Sequence, residues 1–360
     1  MIAYESRSVL EAAQDRISTV FDRFERIVVS VSSGKDSTCL YHLALAEARR
    51  RGRRIIVFFL DQEAEYQASI DLMRQMMTHP RVDPWWYQVP LEMTNATSYS
   101  APMLHAWGDG ESWMRPKEPN AITSIPPHCP RRFYGFFEWI ESQQSEPTAF
   151  LVGLRSKESM NRFRAVTKNP GFDGIPWSTR TKTPHVFRFY PIYDWTFGDV
   201  WKFIADGAHP YNRVYDAMYC IKGKKINAIR ISNLIHEKSF SCLAELQQIE
   251  PDTYDRLCQR IEGVHSAAIY ARERSIYNAD DLPGTFSTWR EYRDSLLNSA
   301  PMDARHRDRL RKRFAGQPDI DSVHRQQCRQ VLLCDYENSI PVNTKATSKA
   351  ALRAKWWGLL

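Results

Sequence analysis

The strongest constraint on the fold is an alternation: short apolar, β-branched runs separated by segments with helical period. Residues 27–31 (IVVSV), 55–60 (IIVFFL), 85–91 (WWYQVPL), 148–154 (TAFLVGL) and 186–195 (VFRFYPIYDW) read as strands. Between them, residues 8–24 place Leu10, Ala13, Ile17, Val20, Phe21 and Phe24 on one helical face. Leu40, Leu43, Ala44 and Ala48 recur the same way up to Gly52, as do Tyr66, Ile70, Met73 and Met77 within 65–78. Thr196 can cap a further helix to about Asp206, with Asp199 at the acidic third position. Strands that alternate with helices pair in parallel through right-handed crossovers, which predicts an α/β fold: a twisted parallel sheet with helices on both faces. From 213 onward the pattern is mainly helical, punctuated by Pro251 and Pro283. The expected domains are 1–220, carrying the sheet and an irregular insertion at 93–130, and a basic, mainly helical 221–360. An insertion of that length usually caps a site or binds a partner.

In parallel sheets ligands gather beyond the carboxyl ends of strands. Two polar stretches stand at such ends: Ser32-Ser33-Gly34-Lys35-Asp36-Ser37 after the first strand, and Asp61 to Glu65 after the second. The first leads into a helix N-terminus, where first-turn N–H groups lack intrahelical partners and the helix dipole favours an anion. Lys35 adds a full charge, Gly34 admits close approach, and Ser32, Ser33, Ser37 and Thr38 offer short hydroxyls. Phosphate is the ligand this chemistry suits. The spacing is not that of a Walker A loop, and an ordinary capped helix is the competing explanation.

Charge is informative through its location. The chain carries a net +7, yet residues 151–190 hold eight Lys/Arg against two acids and residues 301–360 hold twelve against six. Two separate regions are therefore adapted to anions, or carry solvated basic faces. In the second, Arg305, Arg307, Arg309, Arg311, Lys312 and Arg313 fall within nine positions, with Leu310 and Phe314 as a narrow apolar contact. Arg309, Arg311, Lys312 and Arg313 are the candidate contacts to nucleic acid or an acidic partner. Seven scattered Cys with no C-x-x-C pair argue against a disulfide framework, a zinc ribbon or an iron–sulfur cluster. No apolar run approaches the roughly 20 residues of a membrane span, and no signal-peptide pattern is visible, so a cytoplasmic location is expected. Trp195, Trp201 and Phe203 read as core of a strand–helix unit, and Cys129 beside His128 as structural.

Three motifs then bear a family resemblance. SSGKDS (32–37) resembles the S-G-G-K-D-S pyrophosphate (PP) loop of the adenine-nucleotide alpha-hydrolase-like superfamily, with Ser33 in place of the first Gly. VGLRSKES (152–159) resembles the G-x-R-x-x-E-S element of phosphoadenosine phosphosulfate (PAPS) reductases, and YPIYDWTFGDVWKFI (190–204) their P-[IL]-x-x-W-T-x-x-D-[IV]-W segment. LDQEAEYQASIDLM, GLRSKESMNRFRAV, YNRVYDAMY and ELQQIEPDTYDRLCQRIEG are similar to the prophage-coactivator, IbrA-like branch, whose members often pair with a ParB-like protein. The resemblance implies that Ser32, Ser33, Gly34, Lys35, Asp36 and Ser37 hold the phosphates of ATP, with Mg²⁺ at Asp36. It implies that Asp61 lies near the adenosine and that Gly153, Arg155, Glu158, Ser159 and Arg162 line the far side, with Lys35, Asp36, Arg155 and Arg162 serving catalysis. Arg155 and Arg162 suit this chemically, since guanidinium forks bind phosphate or sulfate oxygens bidentately. A side chain at position 33 resists the positive φ open to Gly.

The implied activity is that of an ATP pyrophosphatase or adenylyltransferase that activates an acceptor, with sulfur transfer to nucleic acid as one outlet. One alternative is a non-catalytic nucleotide-binding regulator acting with a ParB-like partner, which the basic C-terminus with Trp356 and Trp357 would suit; oligomerisation is left open. Another is PAPS reduction, disfavoured because Cys328 and Cys334 sit in QQCRQVLLCDYE, without the C-terminal Glu-Cys-Gly-x-His element of the reductases.

Overall fold

The computed structural model describes residues 6–98, 100–158, 160–167, 171–222, 229, 231–235, 240–270, 279, 281–338 and 341–343. Ser159, Trp356 and Trp357 lie outside them. The chain divides into two compact units, one of Met1–Glu92 with His105–Ser232, the other of Met93–Leu104 with Asn233–Leu360. Part of the 93–130 segment thus belongs to each unit.

The first unit is the α/β body. Its sheet contains β1 (Arg26–Ser30), β2 (Ile55–Leu60), β3 (Val82–Tyr87), β6 (Thr148–Val152), β7 (Ser178–Arg180) and β8 (Val186–Phe189), in the order β3-β2-β1-β6-β8-β7. β4 (Leu91–Thr94) and β5 (Met103–Ala106) form a separate two-stranded sheet. All pairings in the larger sheet are parallel except β7 against β8. Val28 faces Ile56 on one side of β1 and Phe150 on the other. The β1 and β2 runs form strands because each is a β-branched or aromatic segment buried on both faces.

Helices α1 (Val9–Arg23), α2 (Lys35–Arg50) and α3 (Gln67–Met77) share one core with Val29, Val57 and Leu151 of the sheet. α6 (Phe197–Asp206) joins the same core through Val200 and Ile204. On the opposite face, Phe137 of α4 (Phe133–Ser142) packs on Phe58 and Phe150, whose centroids lie 5.5 and 5.8 Å away. The capping boxes at Ser8–Glu11 and Thr196–Asp199 are both formed. Trp195 is buried in the core, with Trp201 and Phe203 against it.

Several elements differ from the sequence expectation. β3 begins three residues before the expected strand and includes Pro84, which an edge strand tolerates. β8 stops at Phe189, before Pro191, and residues 190–195 turn instead. α5 (Met160–Thr167) and α7 (Val214–Lys222) complete the helices of this unit among the described residues.

The second unit is helical, with helices Phe240–Ile249, Pro251–Arg260, Val264–Tyr270, Trp289–Ser299, Ala304–Ala315 and Asp321–Leu332. Leu296, Leu310, Phe314, Cys328 and Val331 share a core there. No described helix is long and apolar enough to cross a membrane.

Candidate functional site

Strand order reverses at β1. The chain steps outward from β1 to β2 and β3, then returns to place β6 on the other flank of β1. Such a switch point opens a crevice beyond the strand ends. Ser32–Gly34 follows β1 and Gly153–Arg155 follows β6, so the first and second motifs meet there.

Their meeting is tight. A Cβ on Gly153 would lie 2.8 Å from Ser37 N and Cα and 3.0 Å from the Asp36 carbonyl carbon, so only glycine lets the β6 loop reach the first turn of α2. Arg155 then donates from Nε to Asp36 Oδ1 at 2.7 Å and from Nη2 to Oδ2 at 3.5 Å. Lys35 Nζ lies 3.3 Å from the same Oδ2. All three side chains are buried. Two cations share one carboxylate at the positive end of a helix, so the cluster itself carries one surplus positive charge out of water. Burial of that kind is costly unless an anion completes it.

Two further hydroxyls flank the loop. Among the described residues, Ser30 Oγ at the end of β1 and Thr38 Oγ1 in the first turn of α2 are buried without a partner. Ser32 and Ser37 instead satisfy one another: the Ser32 N–H donates to Ser37 Oγ, which donates to the Gly34 carbonyl. Ser33 does adopt the left-handed conformation, with φ of 55°. Its side chain is buried, and Oγ donates to Ser69 Oγ at 2.9 Å, an anchor that offsets the strain.

The remaining predicted residues have other partners than this cluster. Asp61, fully buried at the end of β2, accepts from Trp86 Nε1, Gln88 Nε2, Arg115 Nη2 and the Glu63 amide. Both its oxygens are engaged, so it organises the turn after β2 and ties down the insertion through Arg115. The Arg115 guanidinium is itself held 4.9 Å from the centre of the Trp107 ring. Arg162 pairs with Glu158 across one helical turn.

Asp36 does not fit a ready Mg²⁺ ligand, because Arg155 and Lys35 engage its oxygens. No cluster of three metal-ligating side chains occurs among the described residues.

Cys129 is buried, and burial pushes its thiol up to about 11. The same cause raises Cys328 to about 12 and Cys334 to about 11. Cys220 is an exposed cysteine. On the helix Ala304–Ala315, Arg307 donates to the carbonyls of Leu297, Ala300 and Met302, and Arg313 to those of Asp335 and Tyr336. Arg309 pairs with Glu337, Arg311 donates to Asn298 Oδ1, and Lys312 is exposed.

Sequence reasoning missed Arg115 and Tyr215. The Lys35 amide donates to Tyr215 Oη at 3.0 Å, a contact between residues 180 positions apart. The YNRVYDAMY motif contained Tyr215, but only the tertiary fold aims it at the loop.

Both halves of the crevice fall within one region of similarity to known proteins. The family model of the phosphoadenosine phosphosulfate reductase domain matches residues 26–224, more than half of the chain. The chain belongs to that family. Residues 223–316 match a domain of unknown function, DUF3440. The uncharacterized protein YbdN of Escherichia coli (strain K12) is 33% identical over 313 residues, covering 82% of this chain and 76% of YbdN. Adenosine 5'-phosphosulfate reductase of Oceanobacillus iheyensis is 29% identical over 82 residues, 22% of this chain and 29% of that protein. Among solved structures, the PAPS reductase from Candida auris in its phosphate complex aligns at 13% identity and a TM-score of 0.32, covering 64% of this chain and 97% of the other.

Proposed function

We propose that the chain binds ATP at Ser32–Ser37 and splits its α,β-phosphate bond to adenylylate an acceptor. The observation that carries this reading is the buried surplus cation formed by Lys35, Asp36 and Arg155 at the N-terminus of α2. In the reaction, a nucleophilic atom of the acceptor bonds to the α-phosphorus and loses its proton to solvent. The bond from that phosphorus to the bridging oxygen breaks, and pyrophosphate leaves with the electron pair. Lys35 and the α2 amides would hold the β,γ-phosphates, and Arg155 would face the reacting end, where fixed positive charge stabilises the developing negative charge.

Reduction of PAPS would need a reactive thiolate, and the raised thiols at Cys129, Cys328 and Cys334 do not favour one there. The test is pyrophosphate release from labelled ATP, with and without DNA, RNA or a ParB-like partner, in the parent and in Cys220→Ser. Release that survives Cys220→Ser supports the proposal. Tight ATP binding without release under every condition would replace it with a regulator, and sulfite formation from PAPS with thioredoxin would replace it with a reductase.

A further inference from the structure

The segment 210–215 touches α2, α3 and the first residue after the Ser32–Gly34 loop. His42 Nε2 of α2 lies 2.9 Å from the Pro210 carbonyl. Asn212 Nδ2 donates to Ser69 Oγ at 2.8 Å, the same oxygen that receives the Ser33 hydroxyl. Tyr215 Oη then takes the Lys35 amide, and the Lys35 ammonium lies 5.9 Å from the Tyr215 ring and 5.6 Å from that of Phe197. Tyr215 is buried, with its ring 5.2 Å from Trp201.

The first amide of α2 is one of the donors a phosphate at this helix end would use. It has one hydrogen, and the phenolic oxygen holds it. We propose that Tyr215 is a gate: it occupies the Lys35 amide in the empty protein and gives way when a phosphate oxygen takes that amide. The gate rests on the ATP-binding reading above and adds to it the element that must move. Because Asn212 and Tyr215 flank the start of α7, displacement of the phenol loosens that start.

The experiment compares Tyr215→Phe with the parent by ATP titration calorimetry and by thermal unfolding without nucleotide. Loss of the hydroxyl leaves a buried amide unsatisfied in the empty state alone, so the variant should melt lower yet bind ATP about fivefold or more tightly. Unchanged affinity makes Tyr215 purely structural, and weakened affinity makes it a phosphate ligand; either overturns the gate. Hydrogen exchange on the parent gives an answer should the variant fail to fold. Peptides spanning 210–222 should lose protection on adding ATP, and unchanged or increased protection overturns the gate. If the parent binds no ATP, the nucleotide reading itself falls and the gate with it; if the parent binds and only the Tyr215 outcomes fail, the gate alone falls.

Discussion

The two basic stretches of this chain have the same excess of positive charge in sequence and use it in different ways. In 151–190, Arg155 is buried on the Asp36 carboxylate that Lys35 of α2 also engages, which leaves one surplus positive charge in that cluster. Along Ala304–Ala315, Arg307 and Arg313 are consumed by main-chain carbonyls at the ends of neighbouring segments, and Arg309 by Glu337. A count of charges therefore does not locate a site; the partners of each charge do.

The largest effect should come from Gly153→Ala, which places a methyl group against the backbone of Ser37 and Asp36. Overpacking of this kind costs about 3 kcal/mol, and a fall in the unfolding midpoint together with lost ATP binding would be the signature. A variant that melts and binds like the parent would break the proposed junction of the two motifs. Lys35→Ala should weaken ATP at least about tenfold while the protein stays folded, since a charge-assisted contact contributes about 1.5–3 kcal/mol; calorimetry checks it.

In the other region, Arg307→Gln should lower stability by about 1.5 kcal/mol, read from denaturant midpoints, and leave ATP affinity alone. Acid tests the first region again. Burial lowers His42 to about 4 from its ordinary value of 6.5, so the unfolded chain binds the proton first as pH falls. Stability from His42 is present above about 6.5 and is lost as pH drops toward 4, at no more than about 1.4 kcal/mol per pH unit. His42→Gln should flatten that slope in pH-dependent unfolding; His324, lowered by burial in the second unit, retains a share of it. Arg309→Gln should have the smallest effect, under about 1 kcal/mol, because its pair with Glu337 is partly exposed.

What the sequence disclosed follows the range of the forces involved. β2 was legible as Ile55–Leu60 because an unbroken apolar run between Arg54 and Asp61 is a local signal. The three- and four-residue strands β7, β4 and β5 were not, since so short a run carries no period. Lys35, Asp36 and Arg155 could be named from loop chemistry and motif resemblance. Their sharing of one carboxylate could not, nor could the hold of Tyr215 on the Lys35 amide or of Arg115 on Asp61, because each joins residues far apart in the chain.

That separation has a consequence for how the protein is made. Tyr215 is synthesised 180 residues after Lys35. At about 5–20 residues per second, the loop emerges roughly 10–40 s before the residue that covers its first amide. During that interval the Lys35 amide has no Tyr215 to meet, and Arg155 becomes available to Asp36 before Tyr215 becomes available to Lys35. The order of translation thus supplies the charge cluster first and its cover last.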